Sequence, residues 1–177
     1  RKVLFVLAFE GFRDEELAVP RQILQSHGIA VTLASTRTGT ATGMLGAREP
    51  IGTVLSEVEA VAFDLVVFVG GRGCPKELWD NARAQALARD AVAAGRVVGA
   101  ICYAPCILAR AGLLQGRTAA VYKDHSSQAV FAAAGARISR SDVVVDGRLV
   151  TGNGPGAARE FAEALVRVLR SSEGKGQ

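Results

Sequence analysis

Four short stretches limit this chain more than anything else in it: KVLFVLA at 2–8, IAVTLA at 29–34, DLVVFV at 64–69 and VVGAI at 97–101. Runs of five to seven residues, nearly all apolar and rich in Val, Ile, Leu and Phe, suit strands buried on both faces, as in a parallel sheet. Parallel neighbours need crossover connections, and the intervening segments supply them. Residues 15–27 carry Leu17, Val19, Ile23 and Leu24 and stop at Gly28, which predicts a helix with Pro20 in or near its first turns. Residues 81–94 stop at Gly95 and residues 103–111 at Gly112, predicting two more.

Between these lie a Gly- and Thr-rich stretch at 38–52, which reads as an edge hairpin, and a short strand at 118–121. A helix at 126–134 follows. Strands at 143–145 and 149–150 are separated by the hairpin pair Asp146-Gly147. An amphipathic helix over 154–170 directs Phe161, Leu165, Val168 and Leu169 inward. The alternation predicts a doubly wound α/β domain, and 177 residues without an internal linker are one such domain with a polar tail from about 171.

Composition removes several classes of function. No apolar run approaches the roughly 18 residues of a membrane span, and Val3 to Phe9 is too short for a secretory signal, so a cytoplasmic protein without a membrane partner is expected. The net charge of +4 is spread over scattered Lys and Arg with few aromatics, which argues against nucleic acid. Three cysteines and two histidines, with no Cys-x-x-Cys pair, provide neither a disulfide framework nor a structural zinc site, so no metal or cofactor is expected.

The chemistry points to AICYAP at 100–105. Ligands of open parallel sheets gather at the carboxyl ends of the strands, and Cys102 stands at such an end. One reading is a small buried hydrophobe. The other is a nucleophile on a sharp strand-to-helix turn, its thiolate favoured by the N–H groups of a helix beginning directly behind it, with Pro105 in the first turn. The turn Gly70-Gly71-Arg72-Gly73, after the preceding strand, lets the Gly71 N–H join that of Tyr103 as an oxyanion hole. Glu15 and Glu16 open the first helix at the same sheet edge.

Taken together and in order, DEELAVP (14–20), VVFVGGRG (66–73), GAICYAP (99–105) and GNGPGAAREFA (152–162) resemble the ThiJ/DJ-one/PfpI superfamily. The resemblance implies a flavodoxin-like three-layer αβα sandwich with a mostly parallel sheet, a nucleophile elbow at Cys102, and Glu16 hydrogen-bonded to it. It also implies a cysteine-dependent enzyme on small carbonyl compounds or their adducts (a glyoxalase, deglycase or amidase-like hydrolase) and a homodimer or hexamer. A carboxylate beside a thiolate is a like-charge pair, so Glu16 is expected to act chiefly as a protonated donor. The same donor suits an oxidised cysteine, which leaves a redox-sensing or chaperone-like stress protein, or a scaffold without chemistry, as alternatives.

The pattern also breaks. Protease-like members carry His after the cysteine; here Tyr103 stands there, and its ordinary pKa near 10 argues against a peptidase. Other members take a His from the loop after the next strand. In AVYKDHSSQ (120–128) that place falls on Tyr122 counting forward and on Asp124 counting back, with His125 beside both and the only one of ordinary base strength. Cys74, in the glycine loop, reads as open enough for a redox or site role. Cys106 reads chiefly as packing and His27 as a helix C-cap. Glu77 resembles an intersubunit site glutamate, and Asn153 reads as a turn residue near the site or a purely structural one.

Overall fold

The computed structural model describes residues 1–171. The chain runs β1 (Lys2–Val6), β2 (Glu10–Phe12), α1 (Asp14–Ser26), β3 (Ala30–Ser35), β4 (Gly39–Gly43), β5 (Arg48–Ile51), β6 (Thr53–Val54) and β7 (Leu65–Phe68). It continues through α2 (Gly73–Glu77), α3 (Ala82–Ala93), β8 (Val97–Ile101), α4 (Pro105–Arg110), β9 (Thr118–Ala119), α5 (His125–Ala133), β10 (Arg137–Ile138), β11 (Val143–Asp146), β12 (Leu149–Gly152) and α6 (Ala158–Ser171). The tail beyond Ser171 lies outside the described residues.

The central sheet has the order β11-β12-β8-β7-β1-β3-β6, parallel throughout except for β11, which pairs antiparallel to β12 across a two-residue turn at Gly147-Arg148, one residue later than the Asp146-Gly147 pair expected. Alternate residues of each inner strand serve opposite cores. Leu4, Val6, Val66, Phe68 and Val98 pack under α3, α4 and α5. Val3, Phe5, Leu65, Val67 and Ile101 pack under α6 and the Leu17–Leu24 face of α1. These are the three layers expected, and the reason the strand sequences do not alternate: neither face meets water. Residues 38–52 form a hairpin, β4 against β5, but not on an edge of the central sheet, whose edges are β11 and β6: with β2 alongside β4 they make a separate three-stranded sheet.

Two local expectations change. Pro20 is the seventh residue of α1 rather than part of its first turns, so the N–H that would reach back to the Glu16 carbonyl is missing. The helix behind Cys102 begins at Pro105 after a turn over residues 102–104 and spans only six residues. The short helix α2 was not foreseen; it follows from Gly73, whose missing Cβ leaves room for the Glu10 carbonyl oxygen, 1.8 Å from where that atom would lie. Among the described residues no helix is long and apolar enough to cross a membrane.

Candidate active site

Strands β1, β7 and β8 end side by side, and the segments after them, together with the turn after β4 and the loops after β9 and β12, border a pocket of about 250 Å³ lined by Arg13, Met44, Gly71, Arg72, Cys102, Tyr103, Tyr122 and Pro155. Cys102 has φ = 63°, the one non-glycine residue at positive φ among the described residues. A left-handed cysteine costs about 1–2 kcal/mol, and the surroundings hold it there. Its N–H donates to the Gly152 carbonyl (2.9 Å) and its own carbonyl accepts from the Tyr122 N–H (2.8 Å). The elbow is thereby pinned between the end of β12 and the loop after β9.

The Gly71 and Tyr103 N–H groups are directed at the Cys102 sulfur and favour its anion. Gly71, at φ = 121°, has no room for a side chain: a Cβ would stand 2.4 Å from the Arg13 nitrogen and from the Gly11 carbonyl oxygen. At Gly70 a Cβ would meet the Cys102 Cβ at 2.5 Å and Glu16 Oε1 at 2.7 Å. The absence of side chains at 70 and 71 is what brings thiol, carboxyl and oxyanion-hole donors into one space.

Glu16 is fully buried on α1, and neither carboxyl oxygen has a well-formed hydrogen bond. Burial pushes its pKa up to about 8, while the Cys102 thiol, Arg13 and the Gly70 N–H draw it only partly back. It therefore favours the protonated form near neutral pH, as expected, but because of burial rather than repulsion from a thiolate, since Cys102 draws its pKa down. The expected thiolate preference is corrected: burial, followed by repulsion from Glu16, raises Cys102 above the ordinary thiol range despite the two N–H groups. Thiol and carboxyl titrate as a coupled pair, and the first proton they lose leaves one charge shared between them.

The other expected residues divide. Tyr122 lines the pocket with Cys102, half exposed. Asp124 turns to Tyr103, whose hydroxyl donates to it, and caps α5 through the Ser127 N–H (2.9 Å). Burial opposes the Asp124 charge, but hydrogen bonds from Ser126, Tyr103 and Ser127 lower its pKa to about 2. Tyr103 is raised by burial and then by Asp124, so its hydroxyl stays neutral. Its ring stands edge-on to Trp79 (5.8 Å) and Tyr122 (5.2 Å), and its carbonyl accepts from Trp79 Nε1 (2.8 Å). His125 is exposed at the start of α5 and is absent from the pocket lining, because the capping box turns the chain outward at Asp124.

Three further expectations are corrected or narrowed. Cys74 is wholly buried in α2 and raised by burial, since the glycine loop folds into a helix rather than staying open. Glu77 accepts from the Phe9 (2.8 Å) and Glu10 (3.0 Å) N–H groups and from Thr36 (3.0 Å), so it ties the turn after β1 to α2 within this chain. Asn153 is held by Asp142 through its side-chain amide (3.0 Å) and N–H (2.9 Å), the structural reading. Cys106 is buried, its thiol raised by burial to about 12, and His27 is the C-cap residue of α1. All three cysteines are free thiols.

Arg13, Met44, Arg72 and Pro155 line the pocket but were not singled out from the sequence. Arg13 immediately precedes the Asp14-Glu15-Glu16 run and donates to Glu15 through Nε (2.7 Å) and Nη2 (3.2 Å). That adjacency was the one sequence signal for it. No group of three His, Cys, Asp or Glu among the described residues is placed to hold a metal.

Comparison with known proteins agrees with this geometry. The family model described as "DJ-1/PfpI family" matches residues 1–168. Deglycase PH1704 of Pyrococcus horikoshii is 34% identical over 169 residues, covering 96% of this chain and 99% of the relative. Glutathione-independent glyoxalase DJR-1.2 of Caenorhabditis elegans is 30% identical over 175 residues, covering 98% and 91%. The crystal structure of a ThiJ/PfpI domain protein from Brachyspira murdochii superposes with a TM-score of 0.91 at 38% identity, covering 96% of each chain.

Proposed function

The chain belongs to the DJ-1/PfpI family, and from that premise we propose that it is a cysteine-dependent enzyme acting on small carbonyl compounds or their adducts. One observation carries the reading: Cys102 is held at φ = 63° with two N–H groups at its sulfur and a protonated Glu16 beside it. Relatives named for deglycase and glyoxalase activity support the substrate class.

For a 2-oxoaldehyde such as methylglyoxal, the Cys102 S–H bond breaks with its proton leaving to water, and the sulfur adds to the aldehyde carbon to form a C–S bond. The aldehyde oxygen takes the electron pair, held by the Gly71 and Tyr103 N–H groups, and then takes the proton from Glu16. The Glu16 carboxylate removes the C1 proton and returns it to C2 of the enediolate while the C1 hydroxyl proton passes to the C2 oxygen, so a thioester remains and Glu16 regains its proton from water. Water hydrolyses the thioester to lactate, and the thiol is restored. The sum is methylglyoxal plus water giving lactate and a proton.

A peptidase does not fit, because the residue after the nucleophile is a neutral tyrosine bound to Asp124 rather than a base. A homodimer or hexamer, and a cytoplasmic location, form part of the same proposal. Cys102→Ala is expected to abolish lactate formation from methylglyoxal with the far-UV circular dichroism unchanged; unaltered turnover refutes the reading. The protonated carboxyl at the thiol also favours a peroxide sensor, because it is a ready donor to a sulfinate. Stoichiometric oxidation of Cys102 without carbonyl turnover distinguishes that function.

A further inference from the structure

A second cavity, of about 600 Å³, adjoins the reactive pocket and shares Tyr122 and Pro155 with it. Its other walls are Lys123 and Arg140 with Ser139, Asn153 and the apolar Val121 and Ile138. Among the described residues neither Lys123 nor Arg140 has an ion-pair partner. The acids adjacent to them in sequence bond to other groups: Asp142 holds Asn153 (3.0 Å), and Asp124 holds Tyr103 and the first turn of α5. Both cations are solvent-exposed at the wall of this concave site, and neither is held in an internal ion pair among the described residues.

We propose that this cavity is a subsite for an anionic group, carboxylate or phosphate, on the non-reacting end of the substrate. The proposal rests on the carbonyl reading of Cys102. Tyr122 and Pro155 form the boundary over which such a substrate lies, its carbonyl at Cys102 and its anion between Lys123 and Arg140. An Arg fork and a Lys ammonium both suit carboxylate and phosphate oxygens. A 250 Å³ pocket alone suits a small aldehyde, and the added cavity accommodates an adduct of that aldehyde with a larger charged carrier.

Three unreactive thioethers test it by isothermal titration calorimetry: 3-(2-hydroxypropylthio)propanoate, its methyl ester, and 2-(2-hydroxypropylthio)ethyl phosphate. The propanoate or the phosphate is expected to bind about fivefold more tightly than the ester at low salt, the advantage shrinking as salt rises. Whichever anion binds more tightly identifies the source. The advantage should disappear in Lys123→Ala/Arg140→Ala and persist in Lys2→Ala/Arg167→Ala, which removes equal charge elsewhere. Equal binding of anions and ester, no measurable anion binding at millimolar concentration, or a preference that survives Lys123→Ala/Arg140→Ala overturns the subsite. Turnover of uncharged methylglyoxal reports separately on the carbonyl reading. An anion preference without turnover leaves the subsite and removes the enzyme; turnover without preference does the reverse.

Discussion

Replacing Glu16 by Gln should make the protein more stable at neutral and alkaline pH while impairing its chemistry. In the folded chain Glu16 keeps its proton up to about pH 8, against an ordinary value of 4.5. The folded state thus holds a proton that the unfolded chain releases. The stability this contributes is complete below pH 4.5, declines as pH rises, and is lost once pH passes the folded value. The decline is roughly 1.4 kcal/mol per pH unit, so by pH 7.5, about three units along, wild type has lost at most roughly 4 kcal/mol. Gln does not titrate and escapes this loss, but its buried amide hydrogens find no ready acceptor, a pH-independent cost of about 1–3 kcal/mol. The two chains should therefore be similar, or wild type slightly favoured, near pH 5, with the variant ahead by about 1–3 kcal/mol at pH 7.5. Urea unfolding at pH 5 to 8, followed by Trp79 fluorescence, measures the difference. A difference that does not change with pH would falsify the reasoning, because it would mean that Glu16 is ionised in the fold throughout. In the same variant the repulsion that helps raise Cys102 is gone. Iodoacetamide should then alkylate Cys102 at lower pH, while methylglyoxal turnover falls by about 10²-fold or more for want of the proton carrier.

Gly70→Ala would put a Cβ 2.5 Å from that of Cys102 and 2.6 Å from the Ile101 carbonyl oxygen, so a loss of about 1–3 kcal/mol or more is expected in thermal unfolding. A melting temperature within one degree of wild type would contradict the close approach. Tyr103→Phe keeps the ring between Trp79 and Tyr122 and the N–H at Cys102 but removes the bond to Asp124. Its kcat should fall less than about tenfold, whereas Asp124→Ala, which also uncaps α5, should lose about 1 kcal/mol of stability as well. Loss of all activity in Tyr103→Phe would show that the hydroxyl itself reacts.

Much of this was written in local patterns. The runs at β1, β7 and β8 are legible as strands because burial on both faces demands continuous apolar sequence, and β8 falls where the sequence placed it, Val97–Ile101. Cys102 was legible as a site because parallel strands end together at one edge. Tyr122, Asp124 and His125 were not separable by counting: three positions within four residues face different directions, and only the capping box with Ser127 decides that Asp124 points to Tyr103 and His125 to solvent. Cys74 was misread, and the intrachain bonds of Glu77 went unseen, for a related reason. A glycine loop viewed as sequence is open, but Gly73 lets it close against the Glu10 carbonyl, which buries the thiol and directs the carboxylate to the turn after β1.

The protonation of the central pair shows where the boundary falls. Sequence alone determined that a cysteine would end β8 with backbone N–H groups near it and that a glutamate would open α1 at the same edge, because strand periodicity and glycine turns are local properties. Tertiary structure alone decided the charge on them. Burying Glu16 entirely and setting it against Cys102 outweighs the two N–H groups, and desolvation and repulsion of that kind come from residues 86 positions apart in the chain.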